Sequence, residues 1–441
     1  MCGIDATGSK QTEFSVPQRV DSCENSLIHQ HSYPNGFVLV AESMPSMWSA
    51  AFTLLLPAGA AFEPSDQGGA AAMLSRWITR GAGELDGRAL LSALDNLGVS
   101  HGENAEALHT SIRAAALGRN LIPALELFAD IVQRPHLRDD EVEPIRASAL
   151  QTLRSLDDDP GRKVVLEIRR RHFPDPWGRP AAGTPEGIAA LAPDDLRGFF
   201  ARTYRPNGAI LGVAGAIHWP TLRDAIGRLF GAWEPSPDLA VQEHATGPNR
   251  DHIPRETQQT QIALAYPSVV LTSPDYYRAR ALIAILGGYS SARLPTEIRE
   301  KRGLCYSVHA DFECLRERAS VFCYVGTSVD RAQETLDITA AEIERLAREG
   351  IKPEEFDTMR ADRKSSLIMQ QESSMARSGA IAIDWFHLNR VRSPAEICAA
   401  LDALTPESIG EYASGQDLGA MTILTLGPKV LKFPRCGPQA L

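Results

Sequence analysis

Two residue types that stabilise charge on oxygen stand seven apart in the stretch LGGYSSARLPTEIREKRGLCYSV, residues 286–308: Arg299 and Tyr306. A guanidinium offers five fixed N–H donors, and a phenol offers one O–H donor. The pattern predicts a helix through Ile298, stopped by Gly303, then a strand from Leu304. An Arg near the helix end and a Tyr two residues into the strand could converge on a peptide carbonyl or a developing oxyanion. Strand alternation puts Leu304, Tyr306 and Val308 on one face, with Cys305 and Ser307 on the other. Spacing alone leaves a plainer reading open, an ordinary surface Arg and a core Tyr.

Other chemistries find less support. A catalytic zinc site needs three protein ligands and an open position. On a helix, such sites pair two His on one face with a Glu base. The eleven His form no such pair. His29 and His31 sit beside a turn and suit a solvated strand edge, while His101 and His109 flank a loop with no evident third ligand. There is no GxSxG and no phosphate loop of the GxxxxGK[ST] kind. The glycines at 287–288 end a helix rather than open one. The seven Cys (2, 23, 305, 314, 323, 398 and 436) are odd in number and contain no CxxC. Reduced thiols in a cytosol fit that usage best.

A net charge of -10 repels nucleic acid and anionic lipid alike. No run approaches the roughly 18 apolar residues of a membrane span. The opening MCGIDATGSKQTEF has no basic region followed by an apolar run. The expectation is a cytoplasmic protein with no nucleic-acid or membrane partner. At 441 residues, more than one domain is expected.

The elements that must position Arg299 and Tyr306 follow one plan used twice. The first half runs through a Pro-Asn-Gly turn and strand (SYPNGFVLVAE), a second strand (WSAAFTLLLPAGA) and a helix (EPSDQGGAAAMLSRWITRG). Asp66 is the candidate N-cap of that helix and Gly81 its stop. A second helix ending at Gly98, a strand (LHTSIRAAAL), two long helices, and a closing helix–strand unit follow. The second half repeats this order, and its closing TPESIGEYA…TILTLGP matches APDDLRGFF…AILGVAG. Between the halves lies a Pro-rich polar stretch without periodicity. The reading is an α+β protein of two homologous halves, each a mixed or antiparallel sheet flanked by helices. The boundaries are 1–232, a linker at 233–254, and 255–441.

The 286–308 stretch resembles the second-half signature of the pitrilysin-type (inverzincin) zinc peptidases, in their bacterial processing-peptidase-like branch. PNGFVLVAE, DPWGRPAAGTPEGI (175–188) and LRGFFARTYRPNGAILGVAGAI (196–217) agree, so the resemblance spans about residues 30 to 430. It implies a clam-shaped chamber formed by the halves. It also implies an H-x-x-E-H helix in the first half of active members, with a downstream Glu as third zinc ligand. That helix falls on GGAAAMLSRWITRG. Setting Gly81 on the glycine after the motif places the first His at Ala72, the Glu at Ser75 and the second His at Arg76. A one-residue shift gives Ala71, Leu74 and Ser75. The third ligand falls on Gln151 or Thr152. Every metal position is thereby vacant of ligating side chains, so no cofactor is expected on this chain.

The resemblance further implies that Arg299 and Tyr306 contact substrate and help stabilise the transition state. In two-subunit members one chain holds zinc and the metal-less chain donates this pair. The expectation is a non-catalytic subunit, inactive alone, of a heterodimeric zinc endopeptidase that processes peptides, with zinc on a homologous partner. The long Gly-rich loop of the mitochondrial non-catalytic subunit is missing. The alternative is a structural or peptide-binding scaffold with no role in proteolysis.

Overall fold

A computed structural model describes residues 27–434. Cys2, Cys23, Cys436 and the opening MCGIDATGSKQTEF lie outside the described residues.

The first sheet joins β1 (Leu27–Ser32), β2 (Val38–Ser43), β3 (Ser49–Leu56), β6 (Ser100–Ala105), β7 (Thr110–Leu117) and β8 (Ile210–Gly215). Two short strands, β4 (Gly81–Ala82) and β5 (Leu85–Asp86), form a separate hairpin. The sheet order is β1-β2-β8-β3-β7-β6. β2 and β8 run parallel, and the other neighbours are antiparallel. β1 is an edge strand, as the His29–His31 pattern suggested. β8 is buried along its whole length, which explains its unbroken apolar run.

The second sheet joins β9 (Arg250–Pro254), β10 (Gln259–Ser268), β11 (Cys305–Cys314), β12 (Ala319–Ser328) and β13 (Thr422–Gly427). Its order is β11-β12-β10-β13-β9, with β9 parallel to β13 and the rest antiparallel. This repeats β6-β7-β3-β8-β2 of the first sheet, strand for strand and direction for direction. The duplication legible in element order is therefore also a duplication of topology. β9 occupies the place of β2. Residues 250–254 fall within the stretch whose sequence predicts a linker, since they carry no apolar run, yet they pair in the sheet. Their pairing comes from β13, not from their own composition.

Helices of the first half are α1 (Ala70–Trp77), α2 (Gly87–Asn96), α3 (Leu121–Gln133), α4 (Val142–Asp157), α5 (Pro160–His172), α6 (Pro185–Ala190), α7 (Pro193–Thr203) and α8 (Trp219–Phe230). Those of the second are α9 (Tyr276–Ile283), α10 (Ala332–Glu349), α11 (Pro353–Gln371), α12 (Ser374–Leu388), α13 (Pro394–Asp402) and α14 (Pro406–Ser414). Two π-helical turns, Ala284–Gly288 and Pro295–Glu300, lie between α9 and β11. The expected α1 is shorter than its sequence signal, and Asp66 does not cap it. Gly69, at φ 107°, is the N-cap. The first-turn N–H groups are taken instead by the Glu63 carboxylate, from Gly69 at 3.0 Å and Ala71 at 2.7 Å.

One face of the first sheet packs on α1, α3, α7 and α8. Its other face, through Val40, Leu55 and Ile210, packs on Ile381 and Ala382 of α12, which belongs to the second half. The second sheet reciprocates: Ala263, Ala265, Leu424 and Leu426 pack on Val164 and Ile168 of α5, from the first half. Each half thus covers one face of the other's sheet. Polar side chains fix the register of both dockings. On α12, Ser374, Arg377 and Ser378 meet Ser49, Glu42 and Thr53. On α5, His172 bridges Thr422 at 2.9 Å and Ser320 at 2.8 Å. Burial pushes the His172 imidazole down to about 4, which keeps it neutral between these hydroxyls.

Candidate functional site

α1 and α4 bring the predicted metal positions together. Ala72 and Arg76 are four apart and share a face of α1. Arg76 Nη1 donates to Ser148 Oγ at 3.1 Å, and its Nη2 to Thr152 Oγ1 at 3.5 Å. Thr152 therefore faces α1, whereas Gln151, the other candidate for the third position, is exposed. Ser75 is buried, and its Oγ donates to the Ala72 carbonyl at 2.9 Å. These side chains do not fit a zinc ion. Alanine has no donor atom, and the Arg76 guanidinium places a fixed cation among the ligand positions.

The floor beneath α1 is charged. Glu63 is buried and its carboxyl is pushed up to about 7, because burial outweighs the two backbone N–H groups and nearby Arg179. Arg179, held by Asp175 at 2.7 Å, donates to the Glu63 carbonyl at 2.7 Å. The DPWGRP segment thereby braces the start of α1. On the other side of Arg76 lies a groove of about 640 Å³, lined by Arg80, Asp86, Arg88, His101, Glu103 and Arg138 among others. His101 Nδ1 lies 3.0 Å from Glu103 Oε1, and that contact raises the His101 imidazole despite opposing burial. His101 sits on the edge strand β6. Sequence reading missed the groove because its residues come from α1, α2, β6 and the loop before α4.

Arg299 and Tyr306 sit on either side of a helix–strand joint. Gly303, at φ 58°, donates to the Arg299 carbonyl at 3.0 Å, and Leu304 N–H donates to the Ile298 carbonyl at 2.9 Å. The 5→1 bond from a left-handed Gly303 is an αL cap, and Leu304 and Ile298 are both buried in the same core. Thr327 Oγ1 on β12 then donates to the Leu304 carbonyl at 2.6 Å. Cys305 pairs with Thr327 and Ser307 with Gly326, so Tyr306 is the extra residue of a β-bulge. The alternation expected from sequence fails at this residue. Leu304 and Val308 are buried, but Tyr306 is 90% exposed. The bulge turns out a phenol that a regular strand would have turned in.

Arg299 keeps its guanidinium at the surface, about one-third exposed. Its acidic contact is the adjacent Glu300, at 2.8 Å. Neighbouring cations are absorbed by Glu297, which binds Lys301 at 2.7 Å, Arg302 at 2.8 Å and Arg345 at 3.5 Å. Burial favours the neutral acid, yet these cations hold the Glu297 carboxyl down at about 2. Burial also pushes the Cys305 thiol up to about 11, against the pull of the Arg299 charge. That thiol is protonated and unreactive at neutral pH. Among the described residues, no group of three or more His, Cys, Asp or Glu could hold a metal ion.

Two family models match in series. Residues 38–180 match "Insulinase (Peptidase family M16)", and residues 190–362 match "Peptidase M16 inactive domain". The chain belongs to peptidase family M16, the pitrilysin-type family. It is a member without the H-x-x-E-H motif. Similar M16 relatives include uncharacterized zinc proteases of Mycobacterium tuberculosis (25% identical over 387 residues, 86% of this chain and 88% of the relative) and Bacillus subtilis (22% over 395 residues, 88% and 95%). Two solved structures share the fold. A peptidase M16 inactive domain from Pseudomonas fluorescens superposes with TM-score 0.85 at 21% identity, covering 92% of this chain and 100% of that one. A protease from Helicobacter pylori gives 0.84 at 19%, covering 91% and 99%. Among the described residues of this M16 chain, no helix is long and apolar enough to cross a membrane.

Proposed function

We propose that this chain is the non-catalytic subunit of a heterodimeric zinc endopeptidase that processes peptides, and that it donates Arg299 and Tyr306 to its partner's active site. The partner, a homologous chain with an intact H-x-x-E-H, supplies the zinc and the activating Glu. The observation that carries this reading is the bulge at Tyr306. A core-forming tyrosine gains nothing from being turned out to 90% exposure, whereas a donor aimed at a second chain requires it. Arg299 supports it too. Its pair with Glu300 is exposed, and such pairs contribute roughly 0–1 kcal/mol, so the guanidinium is free to re-aim at a substrate carbonyl. Once the carbonyl oxygen takes on charge, a guanidinium N–H and a phenol O–H aimed at it strengthen as hydrogen bonds.

The test is reconstitution with a zinc-bearing homologue from the same source. Peptide cleavage by the pair should fall about 10²–10³-fold for Arg299→Ala and for Tyr306→Phe, the cost of one oxyanion donor. Equal turnover by the variants would leave the scaffold alternative standing.

A further inference from the structure

A cavity of about 590 Å³ lies between the two halves, and none of Ala72, Ser75, Arg76, Thr152, Arg299 and Tyr306 lines it. Its walls are Val38, Leu55 and Ile210 of the first sheet, Trp385 and Phe386 at the end of α12, and Leu315 in the β11–β12 turn. Trp177 and the connector residues Asp238 and Leu239 close the remaining side. This is the size and character of a small-molecule site: mostly apolar, with a few placed polar groups.

Two of those polar groups are left wanting. Arg205 is only 5% exposed. Its Nη1 donates to the Ser236 carbonyl at 3.0 Å and to Asp238 Oδ1 at 2.5 Å, but its Nε has no partner among the described residues. His109 is 7% exposed. Its Nε2 lies 3.1 Å from Glu106 Oε2 without hydrogen-bond geometry, so neither ring nitrogen has a hydrogen-bond partner among the described residues. Its ring meets Phe386 edge-on at 5.4 Å. A buried donor left unpaired costs about 1–3 kcal/mol, and more when the group is charged. Both residues line this cavity, at positions 96 apart in sequence. Arg316 also lines the cavity, its guanidinium 5.8 Å from the Phe386 ring centroid and without an acidic partner among the described residues.

We infer that this cavity binds a small apolar carboxylic acid, its carboxylate on Arg205 and its hydrocarbon body against Trp177, Trp385 and Phe386. A carboxylate can reach the guanidinium at Nη2, which has no hydrogen-bond partner among the described residues, and form a charge-assisted hydrogen bond. In the neutral His109 ring one nitrogen accepts and the other donates. The ring can therefore serve an acid oxygen or a hydroxyl on the ligand. Because the walls come from both halves and the connector, an occupant would tie the halves together and raise their joint stability by linkage.

Bromoundecanoate is a suitable probe, since its bromine quenches nearby indoles. Titrated into the whole chain, it should quench Trp177 and Trp385 fluorescence saturably and raise Tm. Bromoundecanol, with the same tail and no carboxylate, should bind at least tenfold more weakly. Arg205→Gln should remove that preference for the acid. Should Arg205→Gln fail to fold, His109→Phe keeps the ring contact, removes the ring nitrogens and should weaken the acid severalfold. Absent or unsaturable quenching overturns the inference. So does equal binding of acid and alcohol with affinity unaffected by either variant.

Discussion

Arg377 on α12 and Glu42 on β2 form an ion pair at 2.6 Å with each side chain only 3% exposed, and the pair joins the two halves of the chain. Arg377 Nε and Nη2 both donate to the same carboxylate oxygen, at 2.8 and 2.6 Å. Removing one partner leaves an uncompensated charge in the interior. Arg377→Met should therefore lower stability by about 3–5 kcal/mol, and the double change with Glu42→Leu should regain most of that loss. Chemical denaturation of the three variants gives the comparison. A double variant no better than Arg377→Met would show that the pair itself carries the docking of α12.

Two glycines at this same interface should respond in opposite directions. A Cβ on Gly212 of β8 would stand 2.3 Å from the Ser378 carbonyl and 2.9 Å from Ala382 Cβ, so α12 would have to move away. Gly212→Ala should cost about 1–3 kcal/mol. Gly379, inside α12, has only Thr53 Oγ1 nearby, at 3.7 Å. Gly379→Ala should be neutral or stabilise by up to about 1 kcal/mol through helix propensity. Thermal unfolding of both variants distinguishes them.

Glu63 should titrate near neutrality. Its folded carboxyl is pushed up to about 7 by burial, while the unfolded group ionises near 4.5. The folded state keeps a proton that the unfolded chain has lost. Its contribution is fully present below about pH 4.5 and fades as pH rises through 7, a total near 3 kcal/mol. His172 and His387, both pushed down to about 4 by burial, act oppositely, because the unfolded chain protonates them first as pH falls below 6.5. The informative quantity is therefore the stability difference between wild type and Glu63→Gln from pH 4.5 to 8. A flat difference would rule out the raised carboxyl.

Restoring ligands tests the placement of the vacant metal site. The quadruple change Ala72→His, Ser75→Glu, Arg76→His and Thr152→Glu should give a chain that retains zinc through dialysis, about one ion per chain by elemental analysis. Placing the third carboxylate at Gln151 instead should retain far less, since Gln151 is exposed while Thr152 reaches Arg76. Retention by the Gln151 version alone would move the site by one residue.

Gly303 should govern how firmly Arg299 is held. No atom lies within 4 Å of a Cβ built there, so Gly303→Ala meets only the cost of a left-handed backbone, about 1 kcal/mol. That cost falls on the αL cap between Arg299 and Tyr306. In the reconstituted pair, turnover should drop several-fold while the isolated chain loses little Tm.

The mixed order of strands and helices, the duplicated plan, the glycine at 303 and the seven-residue spacing from Arg299 to Tyr306 could all be read without coordinates. So could the absence of ligating side chains at Ala72, Ser75 and Arg76. Periodicity, turn chemistry and side-chain identity are properties of neighbouring residues, so the one-dimensional sequence carries them. Tertiary structure decided the rest. A bulge set by the pairing of Cys305 and Ser307 against β12 turned Tyr306 outward, where alternation had turned it in. The pairing of β9 with β13 took five residues from the linker. The docking of α12 against the first sheet helped build the cavity that gathers Arg205, His109 and Trp385. Each of these depends on contacts between residues tens to hundreds of positions apart, and such contacts are chosen by the packing of whole sheets, for which no local pattern in the chain is a substitute.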